Sequence, residues 1–355
     1  MNQRIRVLMI VSEWPTPERP YWAPYLVRQV DFLRRAGVDV QVFAFRGARR
    51  IANYVGAWRQ VRRRLRYEAY DLIHAQFGQS ALLAWPREIP LVITFHGCDI
   101  QGVKRPDGSM SLGGGILQRL SQLAAAGADA VVLVSERMRR FIPKSVATTV
   151  IPMGLDFDEI PLVPQQAARQ KLGLDPAERL VLFVGNPDEP VKRYALARQA
   201  VDVLNRTTPA RLIVGAGKPH AEILLLMNAC DTLLVTSIQE GSPCVVKEAL
   251  ACNLPIVALD VGDVPVRVRG VEGCEICADE RPETIAAALE RVLARGQRTN
   301  GREAVKDLDE RLLTEQVIQI YRSVLASAPE ARGGLRVRLS SRWAQLVGSK
   351  HASLQ

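Results

Sequence analysis

Residues 240–256 read EGSPCVVKEALACNLPI and hold two carboxylates, Glu240 and Glu248, on either side of a Gly-Ser-Pro turn. The apolar run TLLVTS ends at Ser237, so Glu240 falls in the loop at the carboxyl end of a strand. Ser242 fits a helix N-cap and Pro243 the first helical position; Val245, Val246, Ala249 and Leu250 share a buried face. The N–H groups of Cys244 and Val245, beside Gly241 and Ser242, then point into a cleft at the positive end of a helix. That is an anion site suited to a diphosphate, and because it uses backbone atoms the side chain at 244 matters little. Glu240, in front of it, can accept hydroxyl hydrogens of a sugar, and Glu248 can take ribose hydroxyls. A plainer alternative stays open: a helix with an acidic entry and Glu248 on its solvent face.

The elements that must hold these residues alternate. Strand-like runs at 6–12, 38–45, 71–76, 90–97 and 130–135 are interleaved with helical stretches at 25–37, 47–66 and 116–127. Continuous apolar strands between helices predict a parallel sheet covered on both faces. The segment VIPMGLDFDEIPLVPQ (150–165) is proline-rich and aperiodic and reads as a linker. A second alternation follows at 179–185, 210–217, 230–237, 254–260 and 274–279. The expected fold class is α/β: two Rossmann-like doubly wound domains facing a central cleft, with ligands outside the strand carboxyl ends. The expected boundaries are 1–155, 156–310, a helix at 311–330 that crosses back to the first domain, and a basic tail at 331–355.

The 355 residues carry a net charge of +10, which favours an anionic partner: phosphorylated substrates, an acidic membrane surface or nucleic acid. The apolar stretch Val7–Val11 is too short for a signal peptide and reads as a buried strand, and no run of 18 apolar residues predicts a transmembrane helix. Cys274 and Cys277 form a lone C-x-x-C, better read as apolar residues of a buried strand than as a zinc or redox site. GAGKPH (215–220) lacks the third glycine of a dinucleotide loop and reads as a strand-end turn. Asp156 and Asp158 form a D-x-D in the linker, where capping is the expected role, and no metal is predicted.

In RGARRIANYVGAWRQVRRRLRYE (46–68), Ile51, Tyr54, Val55, Trp58, Val61 and Leu65 share one helical face. Arg49, Arg50, Arg59, Arg62, Arg63, Arg64 and Arg66 crowd the rest. This is either a domain helix with a solvated basic face or an attachment to an anionic bilayer, helped by the tail around Trp343. Nucleic acid is a weaker partner, since no base-reading module accompanies the charge.

EGSPCVVKEALACNLPIVALDVGDVP (240–265) resembles the E-x7-E segment of the retaining GT-B glycosyltransferases of family 4, especially the teichuronic-acid and capsule-type members. FVGNPDEPVKRYALARQAV (183–201), FHGCDI (95–100), VSERMRRFI (134–142) and VIPMGLDFD (150–158) are similar to other parts of the same family, so the resemblance covers most of the chain. It implies transfer of a sugar, with retention and without a metal or other cofactor, from a nucleotide-sugar, UDP-linked by family weight. The acceptor would be a cell-surface polysaccharide or a lipid-linked glycan precursor, and the location cytoplasmic, peripheral on the inner face of the plasma membrane. It further implies Glu240 on the donor sugar, Glu248 on the ribose, Lys192 with Arg193 on the diphosphate, and His96 near the scissile bond. Asn186 stands where most members have Arg, Cys244 where Asn is usual, and the loop 13–25 lacks the glycine pair of many members. The alternatives are an epimerase or phosphorylase on the same fold, or a non-catalytic nucleotide-sugar-binding homologue.

Overall fold

The computed structural model describes residues 4–47, 50–105 and 108–327. Arg49 and the basic tail with Trp343 lie outside them. In the first half, β1 (Arg6–Val11), β2 (Asp39–Ala44), β3 (Leu72–Gln76), β4 (Leu91–Phe95), β5 (Ala130–Leu133) and β6 (Thr148–Val150) alternate with helices. These are α1 (Pro24–Arg35), α2 (Ile51–Tyr67), α3 (Gly78–Ala81), α4 (Cys98–Gln101) and α5 (Leu112–Ala126). After α6 (Gln165–Leu172), the second half contributes β7 (Leu180–Phe183), β8 (Arg211–Val214), β9 (Thr232–Val235), β10 (Ile256–Ala258) and β11 (Glu275–Ile276). Its helices are α7 (Tyr194–Leu204), α8 (His220–Ala229), α9 (Cys244–Ala251), α10 (Val264–Arg267), α11 (Pro282–Arg295), α12 (Gly301–Ala304) and α13 (Glu310–Ser327).

Both sheets are parallel, in the orders β2-β1-β3-β4-β5-β6 and β11-β10-β9-β7-β8. The central strands β1, β3, β4, β7 and β9 are buried along nearly their whole length, as their continuous apolar runs require. The expected linker is shorter than its sequence implied: Val150 belongs to β6 and pairs with Leu133 of β5. A three-residue edge strand carries too little periodicity to be read beforehand.

The strand orders fix where ligands can go. In the second sheet the chain runs from β7 outward to β8, then returns to the other side of β7 with β9. The loops after β7 and β9 diverge at that switch point and leave a crevice. The same reversal occurs between β1 and β3 in the first sheet. It also puts α1 on one face, where α13 packs against it, and α2, α3 and α5 on the other.

The two halves are held by the chain crossing between them. Lys247 of α9, fully buried, donates Nζ to the Met153 carbonyl at 3.0 Å. Arg28 of α1, also buried, donates Nη2 to the next carbonyl, Gly154, at 2.8 Å. Leu155 exchanges backbone bonds with the return crossing, receiving the Glu310 N–H at 2.9 Å and giving its own to Leu308 at 2.7 Å. Burial raises the Glu310 carboxyl to about 7, against the lowering influence of Arg28 and Lys247. The return helix α13 then reaches the first sheet, where the Tyr321 hydroxyl meets His74 Nδ1 at 2.6 Å.

No side chain fits at Gly154, because a Cβ there would lie 2.6 Å from Glu310 Oε2 and 2.8 Å from Glu310 Cα. Gly154→Ala is therefore expected to lower unfolding stability by about 1–3 kcal/mol, the usual cost of overpacking a core. Urea titration measures it, and an unchanged midpoint would show that the two crossings can part without cost.

Candidate functional site

The loop after β9 brings the opening glutamate to the crevice. Glu240, mostly shielded, accepts a hydrogen bond on Oε1 from Lys192 Nζ at 2.7 Å. Lys192 ends a one-turn 3-10 helix, Pro190–Lys192, in the loop after β7. The two residues thus come from the adjacent strands β7 and β9, one on each side of the switch point. Burial pushes the Lys192 ammonium down, but Glu240 outweighs it and the net shift is upward. Lys192 is therefore a fixed cation.

Arg193 takes no part in this pair. Its backbone is left-handed, with φ 54°, and its guanidinium forms an ion pair with Glu280 at 2.8 Å. Only one of the two expected diphosphate cations faces Glu240, because the left-handed residue turns the chain between them.

α9 begins one residue later than expected. Pro243 is its N-cap rather than Ser242, and no side chain caps it. The Ser242 hydroxyl instead donates to buried Asp263 Oδ2 at 2.7 Å. A Ser two residues before the helix cannot reach its amides once Asp263, which sequence distance hides, competes for the hydroxyl. Cys244 and Val245 still open the helix, so their N–H groups have no acceptor within it.

Glu248 lies one turn inside and is buried, which sets aside the solvent-face alternative. Its Oε1 meets His220 Nε2 at 3.0 Å. Burial pushes the Glu248 carboxyl up, and the His220 contact carries it below its ordinary value. The same hydrogen bond raises His220 despite burial. The sequence reading missed His220. Its signal was position: it is the first residue of α8, directly after the turn that ends β8.

On the opposite wall His96 follows β4. Gln76 gives its amide N–H to Gln29 Oε1 at 2.8 Å and accepts the His96 Nε2–H on Oε1 at 2.7 Å. The rings of Phe77 and Tyr25 flank the imidazole, at 4.4 and 5.5 Å between centroids. Burial pushes its pKa down to about 3, so at neutral pH the ring is uncharged and Nδ1 is an acceptor. Asp99, also missed, holds the turn by accepting the N–H groups of His96, Gly97 and Gly78. Burial raises this carboxyl to about 6 against those bonds. An Asp three residues after a strand-end His is a local turn signal that FHGCDI did contain.

The walls touch. A Cβ at Gly241 would sit 2.0 Å from the His96 carbonyl oxygen, and one at Gly97 would sit 3.1 Å from the Gly241 nitrogen. Gln101 Nε2 donates to the Glu240 carbonyl at 3.1 Å, and Gln239 Nε2 donates to the Gly102 carbonyl at 2.7 Å. The HGCD and EGSP segments therefore form one site: a cation, a carboxylate and a helix N-terminus from one half, and a neutral imidazole from the other. Chemically this can bind an anion beside a hydroxylated group and stabilise charge growing on the anion.

The weaker sequence signals go elsewhere. Asp156 Oδ1 accepts the Asp158 N–H at 3.0 Å in a turn, and Asp158 pairs with Arg311. Among the described residues no three His, Cys, Asp or Glu side chains gather as a metal site. Cys274 and Cys277 flank β11 as free thiols.

Comparison with known proteins finds relatives of both halves. Residues 2–159 match the family model for Glycosyltransferase Family 4, and residues 220–295 match that for Glycosyl transferases group 1. A D-inositol 3-phosphate glycosyltransferase from Mycolicibacterium gilvum is 29% identical over 279 residues, which are 66% of this chain and 61% of that protein. TuaC from Bacillus subtilis, assigned to teichuronic acid biosynthesis, is 27% identical over 219 residues, 55% of this chain and 54% of that one. The chain spans less than two thirds of the length of these curated relatives. Among solved structures, sucrose-phosphate synthase from Thermosynechococcus elongatus superposes with a TM-score of 0.76 at 19% identity, over 92% of this chain and 100% of that one. HepE from Anabaena, in complex with UDP-glucose, gives 0.65 at 18%, over 90% and 100%. At such identities the likeness is one of fold, and that fold is GT-B. The two halves that build the cleft are each matched by a glycosyltransferase model, and the resemblance to the family 4 and group 1 glycosyltransferases extends over both.

Proposed function

We propose that the protein transfers a sugar, with retention and without a metal, from a nucleotide-sugar donor to a cell-surface polysaccharide or lipid-linked glycan precursor. The observation that carries this reading is the Lys192–Glu240 pair at the switch point, in front of α9 and against the His96 turn. A donor entering there exchanges partners with the pair. Its diphosphate takes Lys192 and the N–H groups of Cys244 and Val245, and its sugar hydroxyls take Glu240. Glu248 receives the ribose hydroxyls. We take UDP as the nucleotide, supported by the UDP-glucose complex of HepE.

Cleavage of the bond from the anomeric carbon to phosphate leaves charge on the diphosphate, which Lys192 and the helix end stabilise, the part a metal plays in other sites. Glu240 is held by Lys192 and Asp99 by three N–H groups, so neither is offered as a nucleophile. Retention then follows from attack on the face the phosphate leaves: the acceptor oxygen bonds to the anomeric carbon as the departing phosphate oxygen takes its proton. Neutral His96 offers Nδ1 to a sugar hydroxyl near that bond. We also read the enzyme as cytoplasmic and peripheral to the inner membrane face, supported by the absence of any Asp or Glu from α2 and by its five arginines.

A thermal-shift screen of nucleoside diphosphate sugars tests the donor. A ligand at a hundred times its Kd adds about 2.7 kcal/mol, and a UDP-sugar is expected to raise Tm in this way with or without chelator. A panel in which none stabilises the protein would defeat the reading. Glu240→Ala and Lys192→Ala are each expected to lower transfer by about 10²–10³-fold while remaining folded, read as product formation beside the circular dichroism melt. Wild-type turnover in either would remove that residue from the site.

The His220–Glu248 bond has a pH signature. His220, raised in the fold, stabilises fully below its unfolded value and loses this as pH rises through its folded one. Glu248, lowered, stabilises above its unfolded value and loses this as pH falls through its folded one. The Tm gap between the wild type and His220→Gln should therefore be widest between about pH 4.5 and 6.5 and narrow towards pH 9. A gap independent of pH would mean that the pair is not charged.

A further inference from the structure

Helix α5 is built inside out. The residues it turns to the core are small: Gly114, Ser121, Ala124 and Ala125. Close contacts enforce this choice. A Cβ at Gly114 would lie 2.4 Å from the Val103 nitrogen, and Ser121 Oγ donates to the Asp99 carbonyl at 2.6 Å. Apart from the half-buried Leu117, the large aliphatics point outward. Leu112 is 82% exposed, Ile116 62%, Leu120 38% and Leu123 70%, spaced by four, four and three residues along one face about 16 Å long. A surface helix ordinarily does the reverse, and water is the wrong solvent for such a face.

α2 carries a second exposed apolar stripe. α2 and α5 lie on the same side of the first sheet. The segment 85–87 straps them together: Trp58 Nε1 donates to the Trp85 carbonyl at 2.7 Å, Arg62 donates to that of Pro86, and Arg87 Nη2 donates to that of Gly127, just past α5, at 2.7 Å. α2 buries Ala57 and Val61 but exposes Ile51, Val55 and Trp58, so its apolar face is only half used by the fold. Arg59, Arg63 and Arg66 of α2 and Arg119 of α5 are exposed beside these residues, and neither helix holds an acid.

We propose that α5 and α2 together form the surface that docks on an anionic bilayer, with the Leu112–Leu123 stripe entering the acyl boundary and the α2 arginines resting on the headgroups. Charge complementarity chooses the occupant. A second copy, or this chain's own tail with five Arg and Lys and no acid beyond residue 330, would bring cations against these arginines. An anionic leaflet supplies the opposite charge and the apolar layer together. The docked face ends at the cleft, since the loop that leads into α5 touches the donor half through the Lys104 N–H and Gln239 Oε1, 3.3 Å apart. The inference rests on the peripheral attachment read above and adds the element that inserts.

The test is flotation of the full chain with phosphatidylcholine vesicles, with and without phosphatidylglycerol, at low and high salt. Wild type should co-float with the anionic vesicles and keep part of that binding at high salt. Leu112→Gln/Ile116→Gln/Leu123→Gln, outward-facing and so compatible with folding, should lose the salt-resistant part, about tenfold or more in partition coefficient. Arg59→Gln/Arg63→Gln/Arg66→Gln should lose the salt-sensitive part. Stripe and wild-type proteins that float equally would overturn the role of α5 and leave attachment through α2 standing. A wild type that stays unbound at low salt would overturn attachment itself. A wild-type dimer dispersed by the stripe variant, without vesicle binding, would assign the face to a second copy and also overturn the proposal.

Discussion

Two consecutive carbonyls carry the relation between the halves of this protein. Met153 and Gly154 lie in the crossing, and each is taken by a buried cation from a different half, Lys247 of α9 and Arg28 of α1. A buried ammonium or guanidinium without a partner is costly, so each half needs the crossing in one place. The return crossing adds Glu310 over Gly154, where only a glycine leaves room. Because Lys247 sits one residue before Glu248, the same contact that positions the halves also positions the helix at the heart of the cleft.

From that arrangement the approach of the walls follows. The HGCD turn meets the EGSP turn at a distance only glycines allow, and Gln101 and Gln239 bridge beside them. Each carboxylate of the cleft already has a partner within the fold. Lys192 holds Glu240 and His220 holds Glu248, so both carboxylates are directed while largely shielded from water. On the proposed reading, a donor replaces interactions already paired, with little reorganisation of the charges that act on it.

The outer surface has its own logic. α5 lies over Asp99 and Val103, and the tight packing there admits only small residues inward. Large aliphatics can then be placed outward without disturbing the cleft. Site and surface meet in one short segment: Asp99 anchors the His96 turn on one side and takes Ser121 of α5 on its carbonyl.

Much of this was legible in the residues alone. The ten expected strands and the loop position of Glu240 depend on local apolar runs and strand-end motifs, which a sequence displays directly; Lys192 is placed near the donor only by the family resemblance, and its bond to Glu240 comes from the fold. The burial of Glu248 was read only as one of two choices, because helical spacing does not say which face meets the core. Tertiary structure decided what depends on partners far along the chain: Asp263 drawing Ser242 away from the helix, Glu280 drawing Arg193 out of the cluster, His220 answering Glu248, and the linker carbonyls claimed by Arg28 and Lys247. It also decided the outward face of α5, of which the sequence shows only a helical stretch. Hydrophobic periodicity reports that a helix has an apolar side; only the packing beneath it reports which side is buried.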